Sequence, residues 1–332
     1  MGVPVVGSPT SPDWIQKISM ITSIFIVLLQ ASILILGAPL VRGLIRVLKA
    51  RLQNRKGPPL FQSYFDLIKL FQKESVASHN SSFIFQIAPW IIFGATASSA
   101  LFLPVIFRFS PLWFSADIIL IVYLLALAAF FMALAGLDAG SAFGGMGSSR
   151  EMMIYSLSEP AAILSIFAVA YGAGSTNIAN VVEYFFANPS ALFAAGNIFA
   201  FLALFIVALA ENKRVPVDNP ATHLELTMVH EAMILEYSGR QLALIEWASA
   251  LKLTIFFVLL ANIFFPAGLT GALSLAGVLF ALVVFAFKIG ILAAMVALVE
   301  SSIAKLRLFR LPDFIMIAFT LAFIALISGF FA

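Results

Sequence analysis

The sequence predicts an all-α integral membrane protein with about eight transmembrane helices, a cytoplasmic amphipathic helix and a structured acidic cytoplasmic loop. Three observations carry this expectation. Only 11% of the 332 residues are charged while 62% are hydrophobic, and mean hydropathy is +1.06. A soluble domain carries about 25% charged residues and could not cover its surface with so few. Apolar runs recur at the ~20 residues that cross a ~30 Å hydrocarbon core. Lys and Arg are concentrated in alternate loops, as the positive-inside rule requires.

Taken in order, residues 18–41 are uncharged and form the first span. This run is too long for a secretory signal and lacks a small-residue cleavage site after it, so it is expected to be retained. The first cytoplasmic loop, about 42–82, follows. Within it, Leu60, Phe61, Tyr64, Phe65, Leu67, Ile68 and Phe71 recur at helical spacing, which predicts an amphipathic helix over 60–74 lying on the membrane surface. Spans two to five are expected at 83–107, 117–138, 152–173 and 191–210. The acidic loop, about 211–244, holds Glu211, Asp218, Glu225, Glu231 and Glu236. The apolar run 253–287 is too long for one helix, and Pro266, Gly268 and Gly271 mark a tight turn within it. That turn separates the sixth span, 245–265, from the seventh, 272–299. The eighth runs from 314 to the C-terminus. Residues 1–332 thus form a single polytopic membrane domain, with no internal repeat.

The basic residues orient it. Arg42, Arg46, Lys49, Arg51, Arg55, Lys56, Lys69 and Lys73 lie between spans one and two. Arg150 follows span three; Lys213, Arg214 and Arg240 follow span five; Lys305, Arg307 and Arg310 follow span seven. The opposite side has only Lys17 and Arg108. Both termini are therefore expected outside the cytoplasm, in agreement with an even number of spans. Trp14, Trp90, Trp113 and Trp247 fall near span ends, as an aromatic belt would.

Several function classes are excluded. The chain has no cysteine, so it cannot hold a disulfide, a thiolate-bound iron–sulfur cluster or a cysteine nucleophile. His79, His223 and His230 all lie in cytoplasmic loops, which leaves no intramembrane haem ligand, and no metal site is expected. There is no Walker loop or dinucleotide fingerprint. The run Gly144-Gly-Met-Gly-Ser-Ser-Arg150 follows a span, not a strand, and reads as a flexible connector. The basic cluster at 42–56 reads as an orientation signal in contact with lipid headgroups; no nucleic-acid partner is expected.

The chemical candidates are charges inside or at the ends of spans. Glu159 sits in the fourth span and Lys288 about 16 residues into the seventh. A charge there costs a few kcal/mol or more unless paired or hydrated. Such residues serve ion pathways or form helix–helix salt bridges that fix packing, and the residues alone leave both open. Glu246 and Lys252 stand near the start of the sixth span, where Lys252 can snorkel. Asp138 and Glu211 sit at cytoplasmic helix ends, where a lone carboxylate is ordinarily interfacial.

Several motifs carry a family resemblance. They are Arg51-Leu-Gln-Asn-Arg-Lys-Gly-Pro-Pro59 with Phe61-Gln-Ser-Tyr-Phe-Asp-Leu-Ile-Lys-Leu-Phe-Gln-Lys-Glu74; Leu137-Asp-Ala-Gly-Ser-Ala-Phe-Gly-Gly-Met-Gly-Ser-Ser-Arg-Glu151; Ser158-Glu-Pro160; Ala173-Gly-Ser-Thr-Asn-Ile178; and Glu211 through Pro216-Val-Asp218, Glu225 and Glu236-Tyr-Ser-Gly239. In this order, from about residue 25 to 310, the chain resembles the complex I subunit 1 family, in the branch found in group 4 membrane-bound [NiFe] hydrogenases. Ala221 and His223 stand where family members often have glutamates, and the stretch before Glu236 is longer than in complex I. Both departures point to the hydrogenase branch.

The resemblance implies a subunit that docks a peripheral arm and carries no redox centre itself. The implied partners are a peripheral iron–sulfur small subunit, a large hydrogenase-like subunit and antiporter-like membrane subunits, with iron–sulfur clusters and [NiFe] in those partners. By position, Glu159, Glu211, Asp218, Glu225 and Glu236 match family acidic sites, and with Asp138 and Lys288 they form the expected proton pathway. Arg51, Arg55 and Asp66 match the first-loop motif and, with Arg150 and Glu151, are expected at the arm contact or a quinone-like cavity. The expected location is a prokaryotic inner membrane. Two further readings stand beside this one: the quinone-chamber subunit of an NADH-quinone oxidoreductase, and an independent ion transporter. The latter commonly shows paired repeats and broken helices at the midplane, neither of which is clear here.

Overall fold

The computed structural model describes residues 20–76, 81–108, 112, 116–218, 229–271 and 274–331. Among the described residues all regular structure is helical: α1 Met20–Leu52, α2 Gln62–Gln72, α3 Phe83–Ala100, α4 Ile118–Asp138, α5 Ala142–Ala173, α6 Ile178–Ala187, α7 Ala195–Glu211, α8 His230–Ile234, α9 Gly239–Phe264, α10 Leu275–Ser302 and α11 Leu311–Phe331, with short 3-10 turns at Pro189–Phe193 and Leu308–Arg310.

Seven of these helices are long and apolar enough to cross a membrane: α1, α3, α4, α5, α9, α10 and α11. The expected fifth span is α7, which has 17 residues and is about 26 Å long at 1.5 Å per residue. The expectation of eight spans therefore depends on this short helix, which packs between α5 and α11. Helix α9 is the most deeply buried span and touches α1, α2, α3, α6, α7 and α10. Apolar side chains on the outer faces, such as Phe25 and Leu28 of α1 and Val283 and Phe287 of α10, remain exposed, which suits a hydrocarbon phase around the molecule.

Local chemistry sets the ends. Asp117 caps α4 through Ile119 N–H (2.9 Å), Ser141 caps α5 through Gly144 N–H (3.1 Å), and Ser274 caps α10 through Gly277 N–H (3.1 Å). Each side-chain oxygen satisfies a helix-start N–H that lacks an intrahelical acceptor. The expected surface helix appears as α2, packed on α1 and α9.

The structure corrects three expectations. The second span does not reach 107; α3 stops at Ala100. Pro104 lacks an N–H and disfavours helix in the residue before it. The buried Gln30 side chain of α1 instead accepts from the N–H groups of Val105 (2.9 Å) and Ile106 (3.1 Å), and Thr270 N–H donates to the Ile106 carbonyl (2.8 Å). The glycine run 144–147 is not a flexible connector but the first turn and a half of α5. Its lack of side chains lets helices touch, since a methyl on Gly144 would overlap the Gly136 carbonyl of α4. The first span is not confined to 18–41; α1 continues unbroken to Leu52, so Arg42, Arg46 and Lys49 share one helical face.

Candidate functional site

That face of α1 opens a line of buried ion pairs. Arg42 pairs with Glu246 of α9. Lys49 reaches Glu300 near the end of α10 at 2.9 Å, and Arg214 donates to the same carboxylate at 3.3 Å. On the other side of the 212–218 turn, Lys213 pairs with Glu151 of α5 at 2.7 Å. Lys252 of α9 pairs with Glu211, the last residue of α7, at 2.8 Å. Lys305 pairs with Asp218 at 2.6 Å. Four of these carboxylates, Glu151, Glu211, Asp218 and Glu300, are at most 7% exposed. A charge so far from water persists only when paired and hydrogen-bonded, and each of the four has a cation in contact.

The turn after α7 makes this possible. Lys213 takes a left-handed backbone conformation, φ 50°, which is uncommon outside glycine. The chain reverses there, and the side chains of Glu211, Lys213, Arg214 and Asp218 meet four different partners. Glu211 is held twice, by Lys252 and by the Ser158 hydroxyl of α5. Glu159 is the next residue on α5 and is half-buried. Lys252 also stands over the Tyr155 ring, 5.7 Å from its centroid. His230, at the start of α8, receives Lys213 Nζ on Nδ1 at 3.3 Å. Burial, with Lys213 beside it, holds the imidazole well below its ordinary value of 6.5 and hence neutral.

A cavity of about 450 Å³ opens beside this line. Arg46, Lys49, Arg55, Lys213, Arg214 and Glu300 are among its walls, so positive charge dominates it. Among the described residues no group of three or more His, Asp and Glu side chains is placed to hold a metal ion.

The structure sorts the expected site residues into three groups. Glu211, Asp218 and Glu151 lie in the ion-pair line, with Glu159 and the half-buried Arg150 beside or near it on α5. Others lie apart. Asp138 accepts from the N–H groups of Ser82 (2.9 Å) and Phe85 (3.0 Å), which ties α4 to the start of α3. Asp66 is exposed and pairs loosely with Arg46 at 3.7 Å. Arg51, Arg55 and Glu236 are exposed. Lys288 donates to Asn262 of α9 at 3.1 Å, and no ion pair is found for it among the described residues. Glu225 lies outside the described residues.

The residues beside Glu236 have a clear structural task. Tyr237 stacks on Phe85 with ring centroids 3.9 Å apart and donates to the Phe85 carbonyl at 2.8 Å. Ser238 accepts from Val76 N–H at 2.8 Å. Gly239 has φ 53°, and a methyl there would overlap the Glu74 carbonyl. This segment clamps the end of the first cytoplasmic loop to the start of α9.

Sequence reasoning did not single out Glu300, Lys213, Arg214 or Lys305 as site residues, and left Glu246 and Lys252 undecided. One signal was present: Arg42, Arg46 and Lys49 are spaced as one helical face, and a basic face continuing from a span needs acidic partners. Which acids those were, only the packing of α9 and α10 reveals.

Comparison with known proteins agrees with this architecture. The NADH dehydrogenase family matches residues 24–329. The chain is 35% identical over 306 residues to formate hydrogenlyase subunit 4 of Escherichia coli, covering 92% of this chain and 98% of the relative. It is 35% identical over 301 residues to hydrogenase-4 component C of Escherichia coli, covering 90% and 93%. Against an NADH-quinone oxidoreductase subunit of Rubrobacter xylanophilus it is 34% identical over 242 residues, covering 70% of each. Among solved structures, a chain of the membrane-bound sulfane sulfur reductase, an archaeal respiratory membrane complex, superposes with a TM-score of 0.79 at 23% identity, covering 91% of this chain and 99% of that one. At that identity the likeness concerns the fold.

Proposed function

This chain belongs to the NADH dehydrogenase family, and from that premise we propose that it is the membrane-anchor and ion-pathway subunit of a complex I-like, energy-converting [NiFe] hydrogenase. The near full-length match to the two hydrogenase-type relatives, against a partial match to the NADH-quinone oxidoreductase relative, supports this branch over a quinone reductase. In this reading, iron–sulfur clusters and the [NiFe] centre belong to a peripheral small subunit and a large subunit docked on the cytoplasmic face, where Arg51 and Arg55 are exposed. Antiporter-like subunits lie beside it in a prokaryotic inner membrane, and both termini face away from the cytoplasm.

The ion pairs supply the coupling chemistry. A carboxylate buried against a cation holds its proton balance through that partner, so a new charge in the docked arm shifts it. Glu211 is the node that carries the proposal. It ends a membrane helix, is 7% exposed, and has contacts to α5 and α9 through Ser158 and Lys252. Glu159, Glu151 and Asp218 continue the pathway on either side. Glu236, Asp138 and Lys288 lie apart from this line of ion pairs.

The test is Glu211→Gln in the intact complex reconstituted in vesicles. Hydrogen turnover with artificial electron carriers should persist, while redox-driven ion translocation falls about tenfold or more, the scale of losing a positioned proton carrier. Undiminished translocation would remove Glu211 from the pathway.

A further inference from the structure

Three buried polar atoms near Glu211 have no hydrogen-bond partner among the described residues: Glu151 Oε2, Asn212 Oδ1 and His230 Nε2. All three residues line one small cavity walled by α3, α4, α5, α9, the end of α7 and the start of α8, with about 40 Å³ of space open to water-sized molecules. That volume suffices for about one to three waters. The rest of its wall includes Glu211, Lys213 and Lys252 together with apolar side chains such as Ile92 and Met132.

The hydrogen-bond roles of the three atoms are set by their surroundings. Glu151 Oε1 is taken by Lys213 at 2.7 Å, leaving Oε2 as a free acceptor. Asn212 donates from Nδ2 to the Ala208 carbonyl at 2.8 Å, which turns Oδ1 away as a second acceptor. The Lys213 ammonium can only donate, so His230 Nδ1 must accept from it. A neutral imidazole that accepts at Nδ1 carries its proton on Nε2 and is a donor there. The neutral state agrees with the burial of the ring and with the positive charges of Lys213, Arg42 and Lys252 around it. The unpaired set is therefore two acceptors and one donor. A water molecule offers the complement, two donors and one lone pair for the third contact, and buried waters make about three such bonds.

We propose that this cavity is a structural water site, held by Glu151, Asn212 and His230, and that its water closes a proton ring with Lys213. The ring reads Lys213 Nζ–H to His230 Nδ1, His230 Nε2–H to water, and water O–H to Glu151 Oε2. One concerted shift breaks an N–H bond of Lys213 and forms one at His230 Nδ1. It breaks the His230 Nε2–H bond and forms an O–H at water, which passes its own proton to Glu151. Lys213 and Glu151 end neutral, His230 ends as the other neutral tautomer, and water is regenerated. The ion pair is discharged, and one unit of positive charge has passed from Lys213 by way of His230 and the water to Glu151. His230 thereby becomes a positioning and relay residue of the pathway, a role that its place in a cytoplasmic loop did not suggest.

This inference rests on the ion-pathway reading, and the test separates the two. The complex is prepared with the native chain, with Glu211→Gln, with His230→Gln and with His230→Leu, and its structure is determined at a resolution that shows ordered water. In the native complex, density is expected within hydrogen-bonding distance of Glu151 Oε2, Asn212 Oδ1 and His230 Nε2. A dry cavity overturns the water site. His230→Leu should lose that density and lower redox-driven ion translocation at least about tenfold, with hydrogen turnover and subunit composition unchanged. His230→Gln, which can hold a water but cannot shift a proton between two ring nitrogens, should keep the density and still lose translocation. Retained translocation in His230→Gln overturns the ring while leaving the water. If Glu211→Gln is impaired and both His230 variants translocate normally, the ring fails and the broader pathway stands. If Glu211→Gln translocates normally, the pathway reading itself fails.

Discussion

Replacing Glu300 with glutamine tests the claim that burial makes these ion pairs costly to break. Its carboxylate is 2% exposed and faces Lys49 at 2.9 Å and Arg214 at 3.3 Å. With an effective dielectric of about 20, these contacts are worth roughly 6 and 5 kcal/mol of gross attraction. Most of that offsets the desolvation of three ions, so the pairs add little net stability while intact. Removing the charge on one side is different. The two cations stay in place without the carboxylate that both contact, at a cost of about 3–5 kcal/mol. At about 2 °C per kcal/mol for a domain of this size, unfolding should move down by roughly 6–10 °C. The assay is thermal unfolding of the purified complex in one detergent, with Asp66→Asn as the comparison. The Asp66 pair with Arg46 is loose, at 3.7 Å, and both side chains are more than a third exposed. Solvent screening there limits the loss to about 1 kcal/mol or less. Equal shifts in the two variants would refute the idea that burial, and not the mere count of ion pairs, decides the effect.

Two other outcomes follow from the geometry. Gly239→Ala should loosen the clamp between the first cytoplasmic loop and α9, because a left-handed φ costs an L-residue about 1–2 kcal/mol and its methyl would overlap the Glu74 carbonyl. Limited proteolysis within 73–82 should accelerate in that variant, and an unchanged cleavage rate would remove the clamp. The depressed proton affinity of His230 gives stability a pH dependence. The folded chain resists protonation at pH values where the unfolded chain, near its ordinary 6.5, takes the proton up. The contribution is thus fully present above about pH 6.5 and is lost as pH falls below it towards the lower folded value. Acid unfolding of the native complex compared with His230→Gln should show a shallower decline in the variant over that window, and identical profiles would contradict a buried neutral imidazole.

Much of this protein is written along the chain. Composition and run length established a helical membrane domain, because no arrangement of so few charges could solvate it. Basic residues in alternate loops set its expected orientation. The spacing of Leu60, Phe61, Tyr64, Phe65 and Ile68 announced α2, and the motif order announced the family. The motifs singled out Glu211, Asp218 and Glu151, which the fold places in the line of ion pairs; their part in a pathway is the proposal made above. Helix ends that depend on tertiary partners could not be read this way. Residues 101–107 look as apolar as the span before them, and Gln30, Asn262 and Thr270, all distant in sequence, supply hydrogen bonds that let the backbone leave the helix. The glycines at 144 and 147 carry no sign of whether they loosen a loop or let two helices touch; the Gly136 carbonyl decides for the first, and Val229 and Ala232 for the second. The pairing of charges was hidden for the same reason. Glu300 is one carboxylate at the end of an apolar run, and its meaning depends on Lys49, 251 residues away, and on Arg214. Hydrophobicity acts residue by residue and survives in the linear order. Coulomb attraction and hydrogen bonding act over a few ångströms between groups that only packing brings together, so the line of ion pairs, and the cavity beside it, belong to the tertiary structure.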